Sequence, residues 1–249
     1  MTLQDIFDQL THGELSQISI GGGEAGKISK DNYGAIINHL NLGLTAIYKR
    51  FNLKQGRIQL ELVPGKSVYQ ISSKYSQSNQ ESMEPVRYLL DAGAPYKDDL
   101  LKIERVLTEE NTELVLNDGA YLYSLLTPTH KTLSVPIDIV ERKESLPDDL
   151  KTSKLTIFYR ANHHKLSATD EWGVDVFDEI EVDLPDAYLE ALLYFVASRV
   201  NNPIGMTNEF HAGNSYSAKY EQECARLEML NYQTDQGQTS TRLRAGGWV

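Results

Sequence analysis

The stretch Gly56-Arg57-Ile58-Gln59-Leu60-Glu61-Leu62-Val63-Pro64-Gly65-Lys66-Ser67-Val68-Tyr69-Gln70-Ile71 is where the chain changes its period. Ile58, Leu60 and Leu62 alternate with Gln59 and Glu61, the two-residue repeat of a half-buried strand. Val63-Pro64-Gly65-Lys66 suits a type II turn, because proline presets the first central φ and glycine accepts a positive φ at the second. Residues 67–71 then read as a returning strand, and the whole stretch as a hairpin.

Before this stretch the period is helical. Ile36, Ile37, Leu40, Leu44, Ile47, Tyr48 and Phe51 make one apolar stripe over residues 31–51, with Asp31 as the expected N-cap. Leu3, Ile6, Phe7 and Leu10 fall at i, i+3, i+4 and i+7, with Thr2 to cap that helix and Gly13 to end it. A loop containing Gly21-Gly22-Gly23 joins the two helices.

After it, the polar stretch 72–84 reads as a mobile loop. Strands are expected at 102–107, 113–116, 132–140 and 155–159, followed by an acidic, turn-prone stretch over 170–183. Helix returns at Pro185, which has no N–H to lose at a first helical position. Leu189, Leu192, Leu193, Phe195, Val196 and Val200 cover nearly its whole circumference, the pattern of a helix in the middle of a bundle. Leu189, Leu192, Leu193 and Val196 are its expected core. Asn201-Asn202-Pro203 ends it, and a last helix within 208–232 carries Tyr216, Tyr220, Cys224, Leu227 and Leu230. The fold expected is α+β: an antiparallel helical bundle from both termini, a β-rich insertion and an extended C-terminal arm. The segments are 1–56, 57–181, 182–232 and 233–249.

The chain has 249 residues, enough for one large domain or two modest ones. Its 24 basic and 35 acidic side chains give a formal net charge of −11, which opposes a broad phosphate-binding surface. An acidic wall instead repels a duplex and lets it slide past. No apolar run reaches the length of a membrane span, and Met1-Thr2-Leu3-Gln4-Asp5 lacks the basic-then-apolar pattern of a signal peptide. One cysteine, Cys224, permits no disulfide within the chain. A soluble protein made in a reducing compartment is the expectation.

Motifs for chemistry are incomplete. Gly21-Gly22-Gly23-Glu24-Ala25-Gly26-Lys27 fits the phosphate-loop spacing, but Ile28 stands where a Mg²⁺-holding hydroxyl is required and Ser29 comes one place late. A nucleotide hydrolase using Lys27 is therefore a weak rival. His163-His164 on a strand would point to opposite faces, Glu209 and His211 lack further partners, and His12 and His130 have no ligand spacing. The carboxylates Asp170, Glu171, Asp175, Asp178, Glu179, Glu181 and Asp183 lack a calcium-loop pattern and read as solvated loop charge. Cys224, on an apolar helix face, reads as a packed thiol. No nucleophile signature is present. No catalytic residue, cofactor or metal is expected.

The tail is different in kind. It ends Thr239-Ser240-Thr241-Arg242-Leu243-Arg244-Ala245-Gly246-Gly247-Trp248-Val249, placing two arginines and a tryptophan, residue types enriched at binding hot spots, on an aperiodic segment. Arg242, Leu243, Arg244, Trp248 and Val249 read as a docking arm.

Several phrases resemble a family of structural proteins of short-tailed phages. They are Leu100-Leu101-Lys102-Ile103-Glu104-Arg105-Val106, Phe158-Tyr159-Arg160-Ala161-Asn162-His163, and Val182-Asp183-Leu184-Pro185 running into Ala191-Leu192-Leu193-Tyr194. Tyr220-Glu221 and the Gly247-Trp248-Val249 ending complete the likeness. The family is that of head-to-tail adaptors, the tail tubular protein A-like connectors. The resemblance implies a virion protein, assembled in the host cytoplasm, that forms a closed ring of about twelve copies. It implies a portal protein above, a tail nozzle or tail tube protein below, and genomic DNA passing through the channel without sequence-specific binding. It also implies that the arm reaches into the portal. Membrane contact is not expected. The rival from another class is a tail-associated β-domain protein that binds host-surface carbohydrate.

Overall fold

The computed structural model describes residues 1–16, 25–141, 146–167, 177, 179–201 and 207–230, the side chains of 149 and 207–213 excepted. The chain divides into two compact units: Met1–Leu53 with His164–Val249, and Lys54–His163. The expected antiparallel helical bundle from both termini is corrected. The chain is a mixed α and β protein, with five α-helices and eight strands in two antiparallel sheets among the described residues. The sheets are not an appendage to a helical core, because their inward side chains form an apolar cluster of their own. The first helix, moreover, starts with backbone hydrogen bonds to an extended segment: Leu3 N–H to Ile180 O at 2.9 Å and Val182 N–H to Met1 O at 3.0 Å.

The central unit holds β1 (Gln55–Glu61), β2 (Val68–Gln70), β3 (Leu89–Leu90), β4 (Leu100–Leu107), β5 (Glu113–Leu114), β6 (Leu126–Thr129), β7 (Thr132–Ser134) and β8 (Lys154–Ala161), with a short helix over Ile137–Glu141. One sheet runs β3-β1-β8-β4-β5 and the other β2-β7-β6. The strand β8 alternates cleanly, burying Leu155, Ile157, Tyr159 and Ala161, and pairs Ile157 with Ile58 on β1 and with Val106 on β4. Gly56 lies opposite Tyr159 in register, and a Cβ there would sit 2.1 Å from the Tyr159 ring. Only glycine leaves room for that ring, whose hydroxyl donates to Asp99 Oδ1 at 2.9 Å.

The turn at 63–66 forms as expected: Gly65 has φ +78° and Lys66 N–H reaches Val63 O at 3.1 Å. The hairpin does not. The strand β2 pairs with β7 in the other sheet, so the turn carries the chain from one sheet to the next. Val63 N–H donates instead to the Tyr69 hydroxyl at 2.9 Å, a side chain occupying the partner position of a strand. The expected strand 132–140 stops at Ser134 and becomes helix at Ile137 after Pro136, which lacks the N–H a ladder needs. The polar stretch 72–84 is tied down. Asp91, buried, accepts hydrogen bonds from the Ser76 and Ser78 hydroxyls, from Ser78 N–H at 2.9 Å and from Tyr96 N–H at 2.8 Å. Asp98 accepts from Ser73 N–H at 3.1 Å, and Arg87 donates to Asn79 O at 2.8 Å.

In the discontinuous unit, α1 (Leu3–His12) carries a capping box: Thr2 Oγ1 accepts from Asp5 N–H and the Asp5 carboxylate accepts from Thr2 N–H at 2.8 Å. The second helix, α2 (Tyr33–Arg50), is entered through a single tight turn over Lys30–Asn32, so Asn32 and not Asp31 holds the cap position. With the short helix Ile137–Glu141 of the central unit as α3, the remaining helices are α4 (Leu189–Val200) and α5 (Thr207–Met229). Pro185 precedes a tight turn over Asp186–Tyr188 that leads into α4. Helix α4 packs against both α2 and α5. Leu192, Leu193 and Val196 are buried, Leu189 half-buried, and α2 approaches so closely that a Cβ on Gly43 would lie 2.7 Å from Leu192 Cδ1.

Candidate functional site

The sequence-predicted arm residues Arg242, Leu243, Arg244, Trp248 and Val249 lie outside the described residues, as do Gly21 to Glu24 and most of the acidic stretch. Lys27 is described. It borders an open hollow of about 620 Å³ lined in part by Phe7, Asp8, His12, Tyr33 and Phe177. Ile28 and Ser29 after Lys27 are extended, and the tight turn into α2 starts only at Lys30, whereas a phosphate loop opens its helix at the lysine itself. The imidazole of His12 is committed to the backbone, with Nδ1 2.8 Å from Asp8 O.

Among the described residues no three His, Cys, Asp or Glu side chains converge as metal ligands. His163 is buried and His164 exposed. Cys224 is buried in the discontinuous unit, and burial pushes its thiol pKa up, away from the reactive thiolate. Its helix is tied at one end to α2, where Arg50 bridges Glu221 at 2.6 Å and Glu228 at 2.7 Å.

The arrangement that stands out is on the solvent face of the five-stranded sheet. Because Leu155, Ile157 and Tyr159 point inward, Thr156, Phe158 and Arg160 point out, and register places Arg57 on one side of Phe158 and Arg105 on the other. The Arg57 guanidinium lies 5.9 Å and that of Arg105 5.2 Å from the Phe158 ring centre. Both distances are within cation–π range. Arg57 is exposed, and neither arginine makes an ion pair or hydrogen bond among the described residues. Next along β8, Arg160 bonds Glu104 Oε1 at 2.9 Å, with both side chains largely covered. Lys102 and Lys154 are exposed on the same face. A basic face thus sits on a chain of net charge −11.

The balance of charge follows from how acids are shared between the units. The discontinuous unit holds 19 of the acidic residues against 10 basic ones; the central unit holds 16 against 14. Arg105 and Phe158 fall within expected strands, yet like Arg160 they are named in the sequence only within the family phrases. The signal that could have singled them out is the outward phase of β8, in which an aromatic and an arginine occupy consecutive solvent positions.

No family model matches the chain, and no curated protein matches it. The phrases that carry the phage-adaptor likeness fall on β4, on the end of β8, on the approach to α4 and its first turns, and within α5.

Proposed function

We propose that this chain is a ring-forming structural subunit of a phage head-to-tail connector, sitting under the portal and lining the channel through which DNA leaves. The observation that carries the reading is the sequence likeness itself, and several of its phrases fall on paired strands or packed helices: Leu100–Val106 on β4, Phe158–Ala161 on β8, Ala191–Tyr194 on α4 and Tyr220-Glu221 on α5. The acidic excess of the discontinuous unit supports it, because a negative wall holds no phosphate and lets a duplex pass. A surface whose guanidiniums find no acceptor among the described residues and flank an aromatic suits a protein whose work is contact.

The test is co-sedimentation with portal-bearing particles. The full chain should bind and give a closed ring of symmetric copies by electron microscopy, while a chain lacking residues 242–249 should fold but fail to attach. A buried terminal tryptophan is worth roughly 2–4 kcal/mol at an interface, and a ring multiplies the effect by avidity. Equal binding by the truncated chain would remove the arm from the reading, and a full chain that ignores the portal would end the reading altogether.

A further inference from the structure

We propose that the Arg57–Phe158–Arg105 face of the central unit is the contact by which one copy grips the next, and that its mate is the acidic edge at Glu179, Glu181 and Asp186 of the neighbouring copy. The inference rests on the ring reading above. Each guanidinium presents five N–H donors and no acceptor, and neither finds an acceptor among the described residues. Both cations already lie near the Phe158 ring, so some of their side-chain freedom is lost before carboxylates arrive.

Glu61 and Glu104 lie on this face too, but five cations outnumber them, so against its own copy the face would meet mainly like charge. An acidic surface is the better mate, which makes the contact heterologous. Heterologous contacts generate rings when the rotation closes. The discontinuous unit supplies such a surface. Residues 180–182 run extended beside Met1–Leu3, with Val182 and Leu184 buried and Glu181 exposed between hydrophobic neighbours. Glu179 and Asp186, both exposed, flank it. Glu181 on extended chain, with Glu179 and Asp186 in the turns on either side, meets a sheet face whose cations are spaced along and across strands. The 19 acidic against 10 basic residues of that unit make it the source of the complementary field.

The experiment uses the full chain, alone and with portal-bearing particles, with mass read by analytical ultracentrifugation and particle size by electron microscopy. Wild type should assemble, and added salt should weaken assembly. R57E/R105E and, separately, E179R/E181R should each weaken it about tenfold or more, with circular dichroism unchanged. The neutral R57Q/R105Q variant should fall between, which separates a lost contact from a misfolded one. The chain carrying R57E/R105E/E179R/E181R should assemble again, because the charges are exchanged and still opposite. Assembly indifferent to the arginine changes overturns the inference while the ring reading stands. Loss without restoration in the four-fold variant overturns the acidic edge as the mate. Arginine variants that assemble normally but lose retention of short duplex or single-stranded DNA would give the face to nucleic acid instead. A wild-type chain that stays monomeric even with the portal overturns the ring reading and this inference together.

Discussion

Asn41 and Leu166, 125 residues apart, exchange two hydrogen bonds: Asn41 Nδ2 donates to Leu166 O at 3.1 Å and Leu166 N–H donates to Asn41 Oδ1 at 2.8 Å. The side-chain amide of α2 thereby serves as a strand partner for a single residue of the segment that follows β8. Asn41→Ala removes both bonds and leaves a partly buried backbone N–H and carbonyl to find water. A loss of about 1–3 kcal/mol is expected in urea unfolding. Asn41→Asp should lose nearly as much, since it keeps the acceptor but turns a carboxylate toward a carbonyl.

Asp91 is the anchor of the 72–84 loop, and its ionisation should appear in stability. Burial pushes its pKa up, but hydrogen bonds from Ser76, Ser78 and the Tyr96 and Ser78 N–H groups outweigh burial and hold it down at about 2, below the ordinary 3.8. A depressed folded-state pKa contributes stability that is complete above the unfolded value and is lost as pH falls through the folded one. The contribution is about 2 kcal/mol. Asp91→Asn turns an amide toward backbone N–H donors, so it should destabilise the protein by about that amount at pH 7. The gap between wild type and variant should close as denaturation is repeated from pH 5 down to pH 2. A gap that stays constant over that range would show that the carboxylate's charge is not what holds the loop.

Local chemistry was legible in the sequence and distant partnership was not. The Thr2–Asp5 cap, the Gly65 turn and the stripe of α2 each depend on residues within a few positions, so the sequence pattern carries them. The choice of strand partner does not. The alternation of Ile58 and Leu60 fits a hairpin as well as it fits pairing with β8, and the Tyr69 hydroxyl that satisfies Val63 cannot be read from spacing. The loop at 72–84 looks mobile because it is polar, yet the acceptor that organises it, Asp91, lies beyond its end. The helical expectation failed for a related reason. Apolar helix stripes say that a face is buried, not what buries it, and the sheets carry their own apolar cluster. The arginine–phenylalanine stack brings together three strands whose order only the fold fixes.

Gly56→Ala tests the register of the central sheet. The added methyl would lie 2.1 Å from Tyr159 Cζ and 2.5 Å from its hydroxyl, so the ring must leave its place and give up its bond to Asp99. Overpacking costs about 1–3 kcal/mol, and the lost, partly buried hydrogen bond adds roughly 1 kcal/mol more. Thermal unfolding followed by near-ultraviolet circular dichroism, which reports the tyrosine environment, should show a lower midpoint and a weakened tyrosine signal.

Gly43→Ala carries two opposed effects, and their sizes decide the sign. Alanine favours a helix interior over glycine by about 1 kcal/mol, which would stabilise α2 if the site were open. The new Cβ, however, would meet Leu192 Cδ1 at 2.7 Å and Phe195 Cδ1 at 2.9 Å. Leu192 is fully buried on α4, so its side chain cannot move out into solvent to make room. Crowding of this kind costs about 1–3 kcal/mol, so a modest net loss is expected in urea unfolding. The contact can be isolated by a double-mutant cycle. Leu192→Ala alone should cost about 2–5 kcal/mol by opening a cavity. In the double variant the methyl added at Gly43 enters that cavity, so the combined loss should fall short of the sum by about 1 kcal/mol or more. Strict additivity would mean that the two helices adjust elsewhere and that Gly43 is not the point of closest approach.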